Sequence, residues 1–356
     1  MNIDFSYMTL TNVAQRIKQL RPDRWLRNRQ NNRQRFVDPL LARNEILDLR
    51  YRVEAMIGDS EYRHDIEHRT LGDVRSVYRG YGMDYDESRP YLPGDELRFM
   101  NWRATARTGK PHMKVFREER KPTVFIVVDR RQNMCFGTRR RLKVTQAVRA
   151  AATIAFYARL TNAPVAGVLL ESELENALEK GLKSNQASGL TWVKETGSEA
   201  GVFNFIHAAN KSCPPPAADP QGRLSDELIE QSLPYVIKLL TPMLAQGSSV
   251  VLISDFHDVD NNSRSSLLEL SMTHHLEAIH IIDPVEKKIP ACGSLLLQSN
   301  EQSLTVINSS DDKTNSEYQN AAASYLESRQ EFFRSLGIPC HTLMTDDDNI
   351  ESIIKA

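Results

Sequence analysis

Cysteine is scarce in this chain. Cys135, Cys213, Cys292 and Cys340 lie far apart with no C-x-x-C pair. That excludes a disulfide framework and a structural zinc ribbon, and it fits a reducing compartment. An excess of one charge sign is also missing. The 45 Lys and Arg balance 46 Asp and Glu to a net charge of −1 over 356 residues, so no chain-wide polyanion-binding surface is implied. Apolar runs such as Val124 to Val128 fall far short of the roughly 20 residues that a membrane span needs. The first residues, MNIDFSYMTLTNVAQR, lack the layout of a signal peptide. A soluble, cytoplasmic protein is expected. No G-x-G-x-x-G follows the first strand, and neither G-x-x-x-x-G-K-[ST] nor G-x-S-x-G occurs. Nucleotide cradles and serine-hydrolase elbows are thereby disfavoured.

What is present is unevenly distributed. Residues 1–36 read as a basic flexible arm; between Arg16 and Arg35, the residues Arg21, Arg24, Arg27, Arg29, Arg33 and Arg35 accompany Arg16 and Lys18 against a single acid, Asp23. Residues 16–35 could engage the phosphates of nucleic acid or an anionic membrane. Residues 37–75 read as a helical extension, with Leu41, Ile46, Leu49, Val53 and Met56 near helical spacing. Residues 76–120 are dense in charge, Gly, Pro and aromatics, and suggest strands and turns.

From 121 to 356 strands and helices alternate, which predicts an α/β doubly wound, mostly parallel sheet. Thr123 to Asp129 and Ser248 to Ser254 are the expected central strands. Thr138 is the expected N-cap of a long helix carrying Val144, Ala147, Val148, Ala151, Ile154, Ala155 and Ala158 on one face. A helix from about Ser225, kinked or split by Pro234 and Pro242, is expected next, and a hairpin over 295–307 later.

Both best strands end in aspartate, Asp129 and Asp255, at the end of the sheet where open α/β proteins bind ligands. The pair could share a divalent cation, or each could cap a turn. Leu92 to Asp95 reads as a type II turn amid Arg89, Arg98, Arg103, Arg107 and several acids, with Tyr91 and Trp102 nearby. A strap of salt bridges is one reading, with Asp95 and Arg98 as partly buried partners and Trp102 out of water. An anion or nucleic-acid site is the other. HDIEH, His64 to His68, matches a short zinc-protease pattern, but five residues on a highly charged segment are a weak signal and read as a solvated helix face.

Arg89, Tyr91, Gly94, Asp95, Arg98, Trp102, Ala106 and Arg107 spell R-x-Y-x-x-G-D-x-x-R-x-x-x-W-x-x-x-A-R. FREER, VVD, FGTR, SDF and DPVE follow in order, from Phe116 to Glu286. This series resembles the domain-of-unknown-function-58 family, whose members join such a block to a von Willebrand factor A-like domain. The resemblance implies a signature block over 76–120 packed on an A-type domain over 121–356. It also implies a non-enzymatic adaptor or co-chaperone for a MoxR-type AAA+ ATPase or other A-domain proteins, acting on a client during complex assembly or metal insertion. Where A-type domains read D-x-S-x-S at their metal-ion-dependent adhesion site, this chain has Asp129-Arg130-Arg131-Gln132-Asn133. The implied ligands are then Asp129, Asn133 and Asp255, with Arg131 as a substitute cation and Mg²⁺ weakly held or not held.

Overall fold

The computed structural model describes residues 39–58, 79–80, 84–117, 122–174, 189–212, 228–298 and 304–355. The basic arm, with Arg21, Arg24, Arg27, Arg29, Arg33 and Arg35, and the HDIEH segment lie outside the described residues. The chain divides into two compact units, one of residues 58–122 and one of the remainder. Among the described residues no helix is long and apolar enough to cross a membrane.

Helix α1 (Arg43–Gly58) buries Leu49 and Val53, one turn apart, against the larger unit's core. Asn210 fixes its approach: the Asn210 amide oxygen accepts from the Leu41 amide at 2.6 Å and its nitrogen donates to the Leu41 carbonyl at 3.0 Å.

The smaller unit holds β1 (Arg79–Gly80), β2 (Asp84–Pro90), α2 (Trp102–Thr108) and β3 (His112–Arg117), its antiparallel strands in the order β1-β3-β2. The turn after β2 has Gly94 at φ +105° and closes with the Asp95 amide donating to the Leu92 carbonyl at 3.1 Å. The Arg89 guanidinium forks onto Asp95 at 2.7 and 2.6 Å, and the Leu92 amide adds a bond at 2.8 Å. Together these hold the Asp95 carboxyl below its usual range. Two expectations are corrected here. Asp95 is paired with Arg89, whereas Arg98 answers its neighbour Glu96 and lies over the Phe99 ring with a 70% exposed side chain. Trp102 is 69% exposed because α2 turns its Ala104 and Thr105 side inward, leaving Trp102, Arg103 and Arg107 outward. Trp102→Ala should therefore shift the unfolding free energy by no more than about 0.5 kcal/mol. Denaturant titration of both chains checks this.

The larger unit continues through β4 (Val124–Arg130), α3 (Lys143–Leu160), β5 (Val165–Leu174), β6 (Leu190–Thr196), α4 (Glu199–Ala209), β7 (Leu228–Glu230) and α5 (Leu233–Leu240). Then follow β8 (Ser249–Ser254), α6 (Arg264–Thr273), β9 (His275–Ile282), α7 (Pro284–Lys287), the hairpin β10 (Ser294–Gln298) and β11 (Leu304–Asn308), α8 (Asp312–Arg334), β12 (Cys340–Met344) and α9 (Ser352–Lys355). The sheet order is β12-β9-β8-β4-β5-β6, parallel except for β6, with β7 paired antiparallel to β5. This is the doubly wound, mostly parallel sheet that the A-type resemblance implied, with β4 and β8 paired at its centre.

Alternation along the central strands builds two cores. Ile126, Val128, Val251 and Ile253 face α1, α3 and α4, while Phe125, Val127, Val250 and Leu252 face α5, α6 and α8. Gly167 on β5 lies so close to β4 that a Cβ there would sit 2.4 Å from the Ile126 carbonyl oxygen. Two helix starts differ from expectation. Helix α3 begins at Lys143 with Leu142 at the N-cap position and no side-chain cap, and Thr138 lies upstream of it, bonded to Asp283. Residues 228–230 form a strand, and Pro234 opens α5 in its first turn, where a missing N–H costs nothing. Because the chain leaves β4 for β5 on one side and returns to β8 on the other, the carboxyl ends of β4 and β8 flank the topological switch.

On β9, His280 is buried beside Ser254, and its Nδ1 makes no hydrogen bond. Burial pushes its pKa down to about 3. The folded chain then resists a proton that the unfolded chain accepts near 6.5, so this contribution to stability is full above pH 6.5 and is lost as pH falls toward 3. Between pH 7 and pH 5 the natural chain should lose about 2 kcal/mol that a His280→Asn chain keeps. Denaturant titrations at the two pH values test it.

Candidate functional site

Four sequence motifs meet beyond the carboxyl ends of β4, β8 and β9. Asp129 is next to last on β4, Ser254 ends β8 with Asp255 directly after it, and Thr138 in the loop before α3 meets Asp283 at the head of α7. Asp129 is fully buried. Its Oδ1 accepts from the Arg131 amide and Nε, both at 3.0 Å, and its Oδ2 from Arg131 Nη2 at 2.7 Å and the Ser254 hydroxyl at 2.6 Å. Arg131 also forks onto Asp258, at 2.6 and 3.2 Å. Burial opposes the guanidinium charge, yet the two carboxylates outweigh it and raise the Arg131 pKa above its ordinary value. Asp258 is pushed the other way: burial disfavours its charge, but Arg131 and His257 hold its carboxyl below the usual range.

A second cation stands beside the first. The Lys143 side chain is completely buried, with Nζ 3.0 Å from Asp255 Oδ2 and 2.6 Å from Glu286 Oε1. Burial works against its charge, and Asp255 and Glu286 more than offset it. One ammonium balances one carboxylate, and the two acids diverge. Asp255 is buried as well, but Lys143, His257 and Asn133 hold it well below the carboxylate range. For Glu286 burial prevails over Lys143 and its carboxyl is raised. Asp255 Oδ1 takes Asn133 Nδ2 at 2.8 Å and His257 Nδ1 at 2.9 Å. Burial lowers and Asp255 raises the His257 pKa, and the rise wins. Further along, Asp283 accepts from the Thr138 amide at 2.9 Å, the Thr138 hydroxyl, and the Thr345 hydroxyl at 2.8 Å. The Asp283 amide in turn donates to Glu286 Oε2 at 2.7 Å.

Phe256 sets the geometry at the end of β8. It is fully buried with φ +52°, a left-handed conformation that costs a bulky residue about 1–2 kcal/mol. Its ring packs edge-on against Phe333 at 4.8 Å, which offsets that cost. Its amide donates to the Ser254 hydroxyl at 3.0 Å, so the serine is oriented to donate onward to Asp129.

Of the ligands implied by the resemblance, Asp129, Asn133 and Asp255 converge, and His257 joins them. Single donor atoms of Asp129, Asp255 and His257 lie within 4.8 Å of one another. The donor set nevertheless does not fit Mg²⁺, which needs near-octahedral oxygen coordination. Both Asp129 oxygens and both Asp255 oxygens already accept hydrogen bonds, and two fixed positive charges stand where a cation would enter. Asn133 Oδ1 is the one donor atom of the three implied ligands that is buried without a partner. Sequence reasoning named Asp129, Arg131, Asn133 and Asp255 but missed Lys143, His257 and Asp258. The signals were a lysine between Leu142 and Val144 at the head of an apolar helix face, and further titratable residues directly after Asp255.

Removing either built-in cation strands buried carboxylates. Arg131→Met should cost about 3–5 kcal/mol of stability by denaturant titration. The double change Arg131→Ser with Asn133→Ser restores hydroxyl donors and removes the guanidinium. It should bind Mg²⁺ by calorimetry where the natural chain does not.

Residues 87–328 match the family described as "Protein of unknown function DUF58". Uncharacterized proteins of Mycobacterium bovis and Mycobacterium tuberculosis are each 29% identical over 284 residues, covering 80% of this chain and 81% of theirs. An uncharacterized protein of Mycobacterium avium is 32% identical over 117 residues, 33% of this chain and 68% of that one. Among solved structures, the conserved hypothetical protein BatB from Bacteroides thetaiotaomicron covers 66% of this chain and 96% of its own, at 11% identity and a TM-score of 0.37. With the match running over residues 87–328, from the signature block through the mostly parallel sheet into its last long helix, the chain belongs to the DUF58 family.

Proposed function

We propose that the chain is a non-enzymatic protein-interaction module, an adaptor or co-chaperone for a MoxR-type AAA+ ATPase that assists assembly of a client complex or metal insertion. One observation carries the non-enzymatic part. At the switch point, where an α/β enzyme would keep a base or nucleophile free, each carboxylate is tied to a cation or a hydrogen-bond donor of the same chain. A network so satisfied is suited to hold a rigid surface. The ATPase as partner follows from the family resemblance of the signature block and the A-type domain. Asp258 and His257, with 17% and 27% of their side chains exposed, lie at the mouth of the network and offer a partner its nearest polar contacts.

Because the cations are part of the chain, binding to the ATPase needs no added metal. The tagged full chain should retain a MoxR-type ATPase from its native cell equally with Mg²⁺ or with EDTA, ATP being omitted from both washes. It should also change the purified ATPase's turnover. Absence of any such ATPase from the retained proteins, or turnover of generic ester, peptide or phosphate substrates by the chain itself, would overturn the reading.

A further inference from the structure

Helix α2 of the smaller unit is short, and its inward and edge groups all serve to hold it. The Asn101 side chain accepts from the Ala104 amide at 3.1 Å and donates to the Ser88 hydroxyl at 2.7 Å. Its backbone amide donates to the His112 carbonyl at 2.7 Å, and the Thr105 hydroxyl accepts from the His112 amide at 3.0 Å. Gly109 closes the helix at φ +69° with its amide on the Thr105 carbonyl at 2.9 Å. The helix is thus pinned to β3 through His112, at its N-cap and at its middle.

Among the described residues, the side chains of Trp102, Arg103 and Arg107 make no hydrogen bond, ion pair or ring contact. Trp102 and Ala106 stand one turn apart, with Arg103 and Arg107 beside them, all exposed. Arg103 and Arg107 have no ion pair among the described residues, whereas Arg89 and Arg98 nearby are each matched by an acid. Just before the helix, Leu92 and Leu97 are 59% and 61% exposed. An exposed tryptophan flanked by unmatched arginines has the composition of an interface hot spot, and the exposed leucines add apolar surface to it.

From this, and resting on the reading of the chain as an interaction module, we infer that the Trp102–Arg103–Arg107 face of α2 is a docking surface for an acidic, apolar segment of a partner protein. Charge complementarity selects the partner: two uncompensated guanidinium groups seek carboxylates, which they can grip in a bidentate manner. The leucines favour a protein over a single nucleic-acid strand, for which more cations along a groove would be needed.

The test uses the full chain and three fluorescein-labelled probes: a short amphipathic peptide of Glu and Leu, its Lys-for-Glu counterpart, and an oligothymidylate of similar length. The Glu–Leu peptide should bind with submillimolar affinity, weaken as salt rises, and protect Trp102 emission from iodide quenching. Trp102→Ala should weaken it about 30-fold, and Arg103→Glu with Arg107→Glu should transfer preference to the Lys peptide. No saturable binding of the Glu–Leu peptide, binding indifferent to these substitutions, tighter binding of oligothymidylate, or a Trp102 already shielded from iodide in the free chain would each overturn the inference. Retention of the ATPase by the triple-substituted chain would remove this face while leaving the adaptor reading intact. Substitution-sensitive peptide binding without any ATPase partner would do the reverse.

Discussion

Lys143 and Arg131 carry positive charge into a part of the sheet where four acids, Asp129, Asp255, Asp258 and Glu286, are gathered. Buried carboxylates repel one another and lose hydration, and without compensation the ends of β4 and β8 could not lie side by side. Everything around the pair follows from that requirement. Ser254, Asn133 and His257 take the remaining acceptor positions, Thr138 serves Asp283, and Phe256 adopts a left-handed backbone to turn the chain at this point.

A tethered cation differs from a bound ion in what it can do. A divalent ion at such a position can accept one further ligand from a partner, and its occupancy varies with concentration. An arginine side chain spends its donors on fixed neighbours, here Asp129, Asp258 and the Gln231 carbonyl. On the proposed reading as an interaction module, a partner would be met by the surface, at the mouth of the network or the outward face of α2, and not by an open coordination position.

The sheet was legible because its strands are short and apolar and their spacing leaves few alternatives. Thr123 to Asp129 and Ser248 to Ser254 are the central pair they were expected to be. Helix boundaries were less legible, since Thr138 has the chemistry of a cap but lies upstream of the helix, bonded to its distant partner Asp283. In the charged block, spacing suggested Asp95 with Arg98, but the antiparallel geometry of β2 brings Arg89 to the turn. Trp102 was expected in a core because tryptophan usually is; only the placement of Ala104 and Thr105 on the inner side of α2 shows otherwise. At the site, Asp129 and Asp255 announced themselves by ending strands. Lys143 did not, because a lysine at a helix start ordinarily faces water.

The ring of Phe333 supports the left-handed turn at Phe256 from near the end of α8, far along the chain. A nascent chain emerging from the ribosome therefore has β4, β8 and their aspartates long before it has the ring that holds Phe256 in place. Until that helix arrives, Phe256 lacks the ring that packs edge-on against it, and Asp283 lacks the Thr345 hydroxyl, which follows later still. The polar network is therefore complete only when contacts from Asp129 through Thr345 are all present, a span that covers most of the larger unit.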